Sequence, residues 1–190
     1  MKADTVNFSQ FGANGTTVSS PLTGTTTDGV GVTITSPTGS FQVLQEGTTW
    51  DGIFPLTAPI LFDGEGSGAV VLTFASGISS LTLAGQANEY GAYTETAMAY
   101  SGTTLVDTAS ASSFNWIDDT NPAHQGIVPF LTVSGTDITS VDFSVTDDVV
   151  GLALYGGTGA VTATPEPSSL ILLGTCLLGF AGTVRRKLLS

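Results

Sequence analysis

Few side chains in this 190-residue sequence offer chemistry of their own. His124 is its single histidine, in Asn121-Pro122-Ala123-His124-Gln125-Gly126. A nucleophilic hydrolase needs a base beside its nucleophile, and no G-x-S-x-G elbow accompanies this histidine. His124 therefore reads as an exposed loop residue. Glycosidases oppose two carboxylates, but among 16 acids some pair is inevitable, so none is singled out. No catalytic residue is expected, and no enzyme. Calcium takes six to eight oxygens, which Asp118-Asp119, Asp147-Asp148 and the turn Asp63-Gly64-Glu65-Gly66 could supply. None of these has EF-hand spacing. They read first as solvated turns, and no cofactor is expected. A structural calcium at Asp118, Asp119, Asp147 and Asp148 is the alternative.

Aromatic rings beside polar groups are the chemistry of sugar recognition. Trp50, in Thr49-Trp50-Asp51-Gly52, and Trp116, in Asn115-Trp116-Ile117-Asp118-Asp119, fit that description, with Tyr90 and Tyr93 as further candidates. The competing reading packs each tryptophan in or over a core.

The most specific pattern is the stretch from Thr164 onward. Pro165-Glu166-Pro167 is stiff and extended, because each proline locks its own φ and pushes the preceding residue out of the helical region. Such a segment suits a protease groove. Residues 168–184 follow without a charge and are apolar on every side, which places a helix in a membrane or a deep core. Seventeen residues sit at the lower limit for spanning. Bilayer thinning and snorkelling of Arg185, Arg186 and Lys187 supply the remainder. The positive-inside rule puts these three residues in the cytoplasm, as a stop-transfer end, and the preceding chain outside.

This order of triplet, short apolar helix and basic end resembles the PEP-CTERM sorting signal of exported bacterial proteins. The resemblance covers Thr164 to about Leu188. It implies an exosortase as partner, an integral-membrane cysteine protease-transpeptidase that removes the tail near Pro165-Glu166-Pro167. It also implies delivery to the cell surface or its exopolysaccharide, with a structural or adhesive role in matrix or biofilm. A secreted carbohydrate-binding module or a weakly marked hydrolase is the alternative. The nucleophile belongs to the exosortase, so Cys176 reads as a lipid-facing hydrophobe. The family also carries N-terminal signal peptides, whereas Met1-Lys2-Ala3-Asp4 has no apolar stretch behind it. Either the protein stays in the cytoplasm, or its true start lies upstream with a signal peptide. Ala3-Asp4-Thr5, which looks like the start of a mature domain, favours the second.

Charge excludes one class of partner. Four Lys and Arg stand against 16 acids, a net charge of −12. Before Pro165, Lys2 is the sole base. A nucleic acid requires a cationic footprint, and none is present. The single cysteine excludes a disulfide within the chain.

The elements that must position these residues read as strands. Val30–Thr35, Ala69–Phe74, Ile78–Ala84, Thr94–Tyr100, Val128–Val133, Ile138–Val145 and Val149–Tyr155 are rich in Val and Thr and bounded by Gly, Pro, Ser and Asp. Val141, Phe143 and Val145 alternate with polar residues and should face a core. Thr16–Asp28 reads as a loop. About ten short strands predict an all-β, antiparallel sandwich, jelly-roll-like, over residues 1–155, with a closed barrel as the alternative. Residues 156–164 read as a Gly/Thr linker, and 165–190 as the sorting signal with a transmembrane helix at 168–184. Gln42–Phe54, Gln86–Tyr93 and Phe130–Ser144 resemble ectodomains that precede this tail. No activity follows from that likeness.

Overall fold

The computed structural model describes residues 4–64, 68–89, 91–115, 128–146 and 151–156. Contacts divide the chain into Met1–Thr158 and Gly159–Ser190. The described residues all belong to the first unit, which is nearly all antiparallel β-sheet. The predicted helix at 168–184 lies outside them, and among the described residues no helix is long and apolar enough to cross a membrane.

After a 3-10 turn at Phe8–Phe11 come β1 (Thr16–Ser19), β2 (Leu22–Thr25), β3 (Gly31–Thr35), β4 (Ser40–Gln45) and β5 (Pro59–Phe62). The long strands β6 (Val70–Ala87), β7 (Gly91–Ser101), β8 (Thr104–Asn115) and β9 (Leu131–Val145) follow, then β10 (Leu152–Tyr155). Every pairing between named strands is antiparallel. β6 is the hub. β9 pairs with it from Val70 to Leu83, β3 over Val71–Phe74 near its start, and β10 over Ala84–Ala87 at its end. A wing β1-β4-β5-β10 leads away from β6, and β9-β7-β8 forms the rest of the path.

The structure corrects the sequence reading in several places. Thr16–Asp28 is not simply a loop, since it holds β1 and β2. Thr and Ser fill these strands and most of their residues are exposed, so no apolar alternation announces them. Ala69–Phe74 and Ile78–Ala84 fuse into β6. The polar Ser76-Gly77 interruption marks a register shift against β9 between Thr73 and Ile78, not an end. Residues 131–133 and 138–145 likewise fuse into β9 across Asp137, which takes φ 59. β8 went unread because its sequence, TLVDTASASSFN, is mostly small and polar. It is held by β7 through a two-residue hairpin, in which Gly102 takes φ 59, a conformation such turns demand.

Val141, Phe143 and Val145 are buried as expected. They join one hydrophobic cluster that draws on both the wing (Phe41, Val43, Leu61, Leu154) and the long strands (Leu72, Leu81, Val133, Ala97). The wing's two faces follow from its register. Val43 lies opposite Leu61, Leu61 opposite Leu154, and Leu154 opposite Gly85. Cross-strand partners share a face, so this row looks into the core. The neighbouring row, Gln42, Phe62, Ala153 and Gln86, has the same register and must look the other way.

Candidate functional site

The outward row is roofed by the loop between β4 and β5. The chain leaves β4 at Gln45, and Gly47 turns it with φ 74. The Gln45 carbonyl accepts from the amides of Thr48, Thr49 and Trp50 at 3.0–3.2 Å. Beyond Trp50, three consecutive amides are taken by two buried side chains. The Glu46 carboxyl accepts from Gly52 at 2.9 Å through Oε1 and from Phe54 at 3.3 Å through Oε2. Between them, Gln86 Oε1 accepts from Ile53 at 3.0 Å. Glu46 is 1% exposed and Gln86 0%. Backbone amides removed from water need such partners, and here they fix the loop to the sheet.

Burial pushes the Glu46 carboxyl up to about 7, aided by the nearby Asp51 charge and opposed by the amides it accepts from. The loop holds Trp50 against Phe62, with ring centroids 5.3 Å apart and planes tilted by 44°. Trp50 is 9% exposed and part of the core cluster. So buried, it does not offer the open stacking face that sugar recognition at this residue would use.

Between roof and row lies a cleft of about 390 Å³. Gln42, Leu44 and Phe62 come from the sheet, Gln86 and Asn88 from the end of β6, and Thr49, Trp50 and Asp51 from the loop. None of these residues can carry a positive charge. Two buried donors here have no hydrogen-bond partner, Trp50 Nε1 and Gln86 Nε2. Both lie beside Gly52, where an added Cβ would run into the indole nitrogen and the amide group.

A second polar cluster occupies the core side. The ladder between β6 and β9 reaches Leu83 and Leu131. Two residues further along, the Gly85 amide donates to Glu95 Oε2 at 2.7 Å, and the Gly85 carbonyl accepts from the Tyr93 hydroxyl at 3.2 Å. Side chains of β7 thus replace the missing strand. Glu95 is 0% exposed, and its Oε1 has no partner. Burial pushes this carboxyl up to about 8, against the pull of the Gly85 amide. Burial also raises the Tyr93 hydroxyl. Tyr93, 3% exposed and committed to Gly85, is a structural residue and not the sugar contact the sequence allowed.

Of the other sequence candidates, Asp63 is buried and accepts from the Leu152 amide at 2.8 Å. Tyr90, Trp116, Asp118, Asp119, His124, Asp147 and Asp148 lie outside the described residues. So do Pro165, Glu166, Pro167, Arg185, Arg186 and Lys187. Among the described residues no group of three or more His, Cys, Asp or Glu side chains is placed to hold a metal. Glu46, Gln86 and Glu95 were not legible as site residues. Gln86-Ala87-Asn88 stood within a stretch chosen for its likeness to other ectodomains, but nothing marked the glutamine as buried.

No curated protein and no solved structure matches the chain. The tail does have a match. Its triplet, uncharged run and basic end fall within residues 163–187, which match the family model of the PEP-CTERM protein-sorting motif. Such a motif implies an exosortase as processing partner, and through it export and surface localisation. Residues 163–187 thus carry a PEP-CTERM protein-sorting motif.

Proposed function

We propose that this chain is an exosortase substrate whose residues 168–184 hold it briefly in the inner membrane, with Arg185, Arg186 and Lys187 in the cytoplasm. Cleavage near Pro165-Glu166-Pro167 then releases the β-domain to the surface or the extracellular matrix. The domain is a jelly-roll-like sandwich with a structural or adhesive role in exopolysaccharide or biofilm. It performs no catalysis and holds no cofactor. The observation that carries this reading is the sorting motif at 163–187, joined to an uncharged run closed by three bases. A carbohydrate-binding module is the second reading, favoured by the polar cleft beneath Trp50.

The test is to express the tagged full chain in an exosortase-bearing bacterium and in the same strain lacking the exosortase. Loss of the enzyme, or replacement of Pro165-Glu166-Pro167 by three alanines, should leave an unprocessed, membrane-bound form. Equal processing and equal surface yield in all three would overturn the reading.

A further inference from the structure

We infer that the cleft between the Trp50 loop and the outward row of the wing binds a neutral saccharide, with a sugar hydroxyl accepting from Trp50 Nε1 and Gln86 Nε2. The inference deepens the matrix reading by naming a site, and it rests on that reading for the source of the sugar.

Two buried donors on the residues of this cleft lack a partner. A buried N–H without an acceptor is costly, and native proteins leave few such groups. Here two of them lie beside Gly52, on two residues that line the same cleft, and both are shielded from solvent, so a shift of the Trp50 and Gln86 side chains would bring them to a ligand. Neither donor can satisfy the other, because an indole N–H and an amide NH₂ both only donate. What they require is one acceptor oxygen. Reversing the Gln86 amide would not supply it without loss, since Oε1 already takes the Ile53 amide.

The remaining lining residues narrow the class of ligand. Asn88 is exposed at the cleft and can donate and accept, whereas the exposed Thr49 hydroxyl already donates to Asn14 Oδ1 and accepts from the Gln45 amide. Asp51 adds an exposed carboxylate acceptor. With Asp51 at the cleft and Glu46 beneath the loop, anionic ligands such as uronates, sulfates and phosphates meet repulsion and find no counter-charge among the lining residues. An apolar ligand would leave the donors unsatisfied. A polyol with a hydrophobic face remains. Its hydroxyls match the amides and Asp51, and its C–H face can lie on the half-buried Phe62 ring. The backbone of the site is also preformed. Three amides of the loop are fixed by Glu46 and Gln86, so binding orders little further backbone.

The full-length chain, in a detergent without a sugar headgroup, should be titrated calorimetrically with cellohexaose, xylohexaose, mannohexaose and dextran. Polygalacturonate serves as the anionic control. At least one neutral sugar should bind and polygalacturonate should not. Trp50→Phe keeps a ring against Phe62 and removes the N–H, so it should weaken binding about tenfold. The same change deletes an unpartnered buried donor, so the melting temperature of the free protein should not fall through loss of a hydrogen bond. Asn88→Ala alters an exposed side chain and spares the fold, and it should weaken binding severalfold.

No binding of any neutral sugar at about 10 mM, or equal binding in wild type and both variants, would overturn the site. A separate arm uses polysaccharide extracted from an exosortase-bearing host. If the purified sugars bind in a Trp50-dependent way but the extract does not, the matrix reading fails and the cleft stands. If the extract binds equally to all variants, the matrix reading survives and the cleft is wrong.

Discussion

Gly85 and Gln86 are adjacent in β6 and face opposite sides of the wing, and each meets a buried glutamate system. On the core side, Glu95 takes the Gly85 amide with one oxygen and leaves the other unpartnered. On the outer side, Glu46 uses both oxygens on amides of the loop that also gives its Ile53 amide to Gln86. Both carboxyls are almost wholly buried and both are pushed up by that burial, to about 8 and about 7. They differ in what they hold. Glu95 patches a place where a strand runs out, whereas Glu46 builds a loop. The wing's inner face therefore serves stability, and its outer face carries a cleft whose backbone is preformed.

The largest effect should come from removing Glu46. Glu46→Ala leaves the buried Gly52 and Phe54 amides without acceptors, each costing about 1–3 kcal/mol, so urea denaturation should show a loss of about 3 kcal/mol. The protection of these amides against hydrogen exchange should fall with it, and that of Gly85 should not. Loss of protection at both places would mean that the two faces act as one unit, and the contrast would break.

The contrast also explains what could be read from the sequence. Alternation announced β3, most of β7 and the Val141-Phe143-Val145 face, because each has one side in a core and one in polar surroundings. It missed β8, β1 and β2, whose residues are too small or too exposed to alternate, and whose place is set by pairing with β7, β4 and β3; it also missed β4 and β5, which run only six and four residues. Trp50 was visible as a residue type, but its setting was not. What makes a cleft there is the register Gln42–Phe62–Ala153–Gln86, four residues from four strands up to 111 positions apart. No local pattern encodes that row. The tail is the reverse case, since its chemistry is local and linear and could be read directly.

Proton linkage tests the same contrast with a smaller effect. A carboxyl raised in the folded state remains protonated after its unfolded counterpart has ionised. For Glu95 that window runs from its ordinary value of 4.5 to about 8. Within it the folded state holds the extra proton, so stability should fall as pH rises, by at most about 1.4 kcal/mol per pH unit for this group. Glu46 adds the same sign between 4.5 and about 7. Glu95→Gln keeps an oxygen for the Gly85 amide and cannot ionise. Its stability profile from pH 5 to pH 8, by urea titration, should be flatter than that of the wild type and cross above it near pH 8. An unchanged slope would mean that Glu95 is not protonated in the fold.

Asp4 sharpens the comparison from the other side, with the smallest expected change. It too is buried, and burial alone would raise its carboxyl. Four hydrogen bonds outweigh this: the Thr26 and Thr27 hydroxyls and the Thr5 and Asp28 amides hold it below its ordinary value of 3.8. The Thr27 hydroxyl donates to Oδ1 at 2.7 Å and the Thr5 amide at 2.9 Å. The sign is therefore opposite to that of the glutamates. The contribution of Asp4 is complete above pH 3.8 and is lost as pH falls through the lowered folded value. Asp4→Asn retains one acceptor oxygen but replaces charge-assisted bonds with neutral ones, so it should cost about 1 kcal/mol at pH 7. It should also soften the acid limb and leave the slope above pH 5 untouched. If Asp4→Asn instead altered that upper slope, the number of donors around a buried carboxyl would not be what sets its sign, and the distinction between Glu46, Glu95 and Asp4 would need another cause.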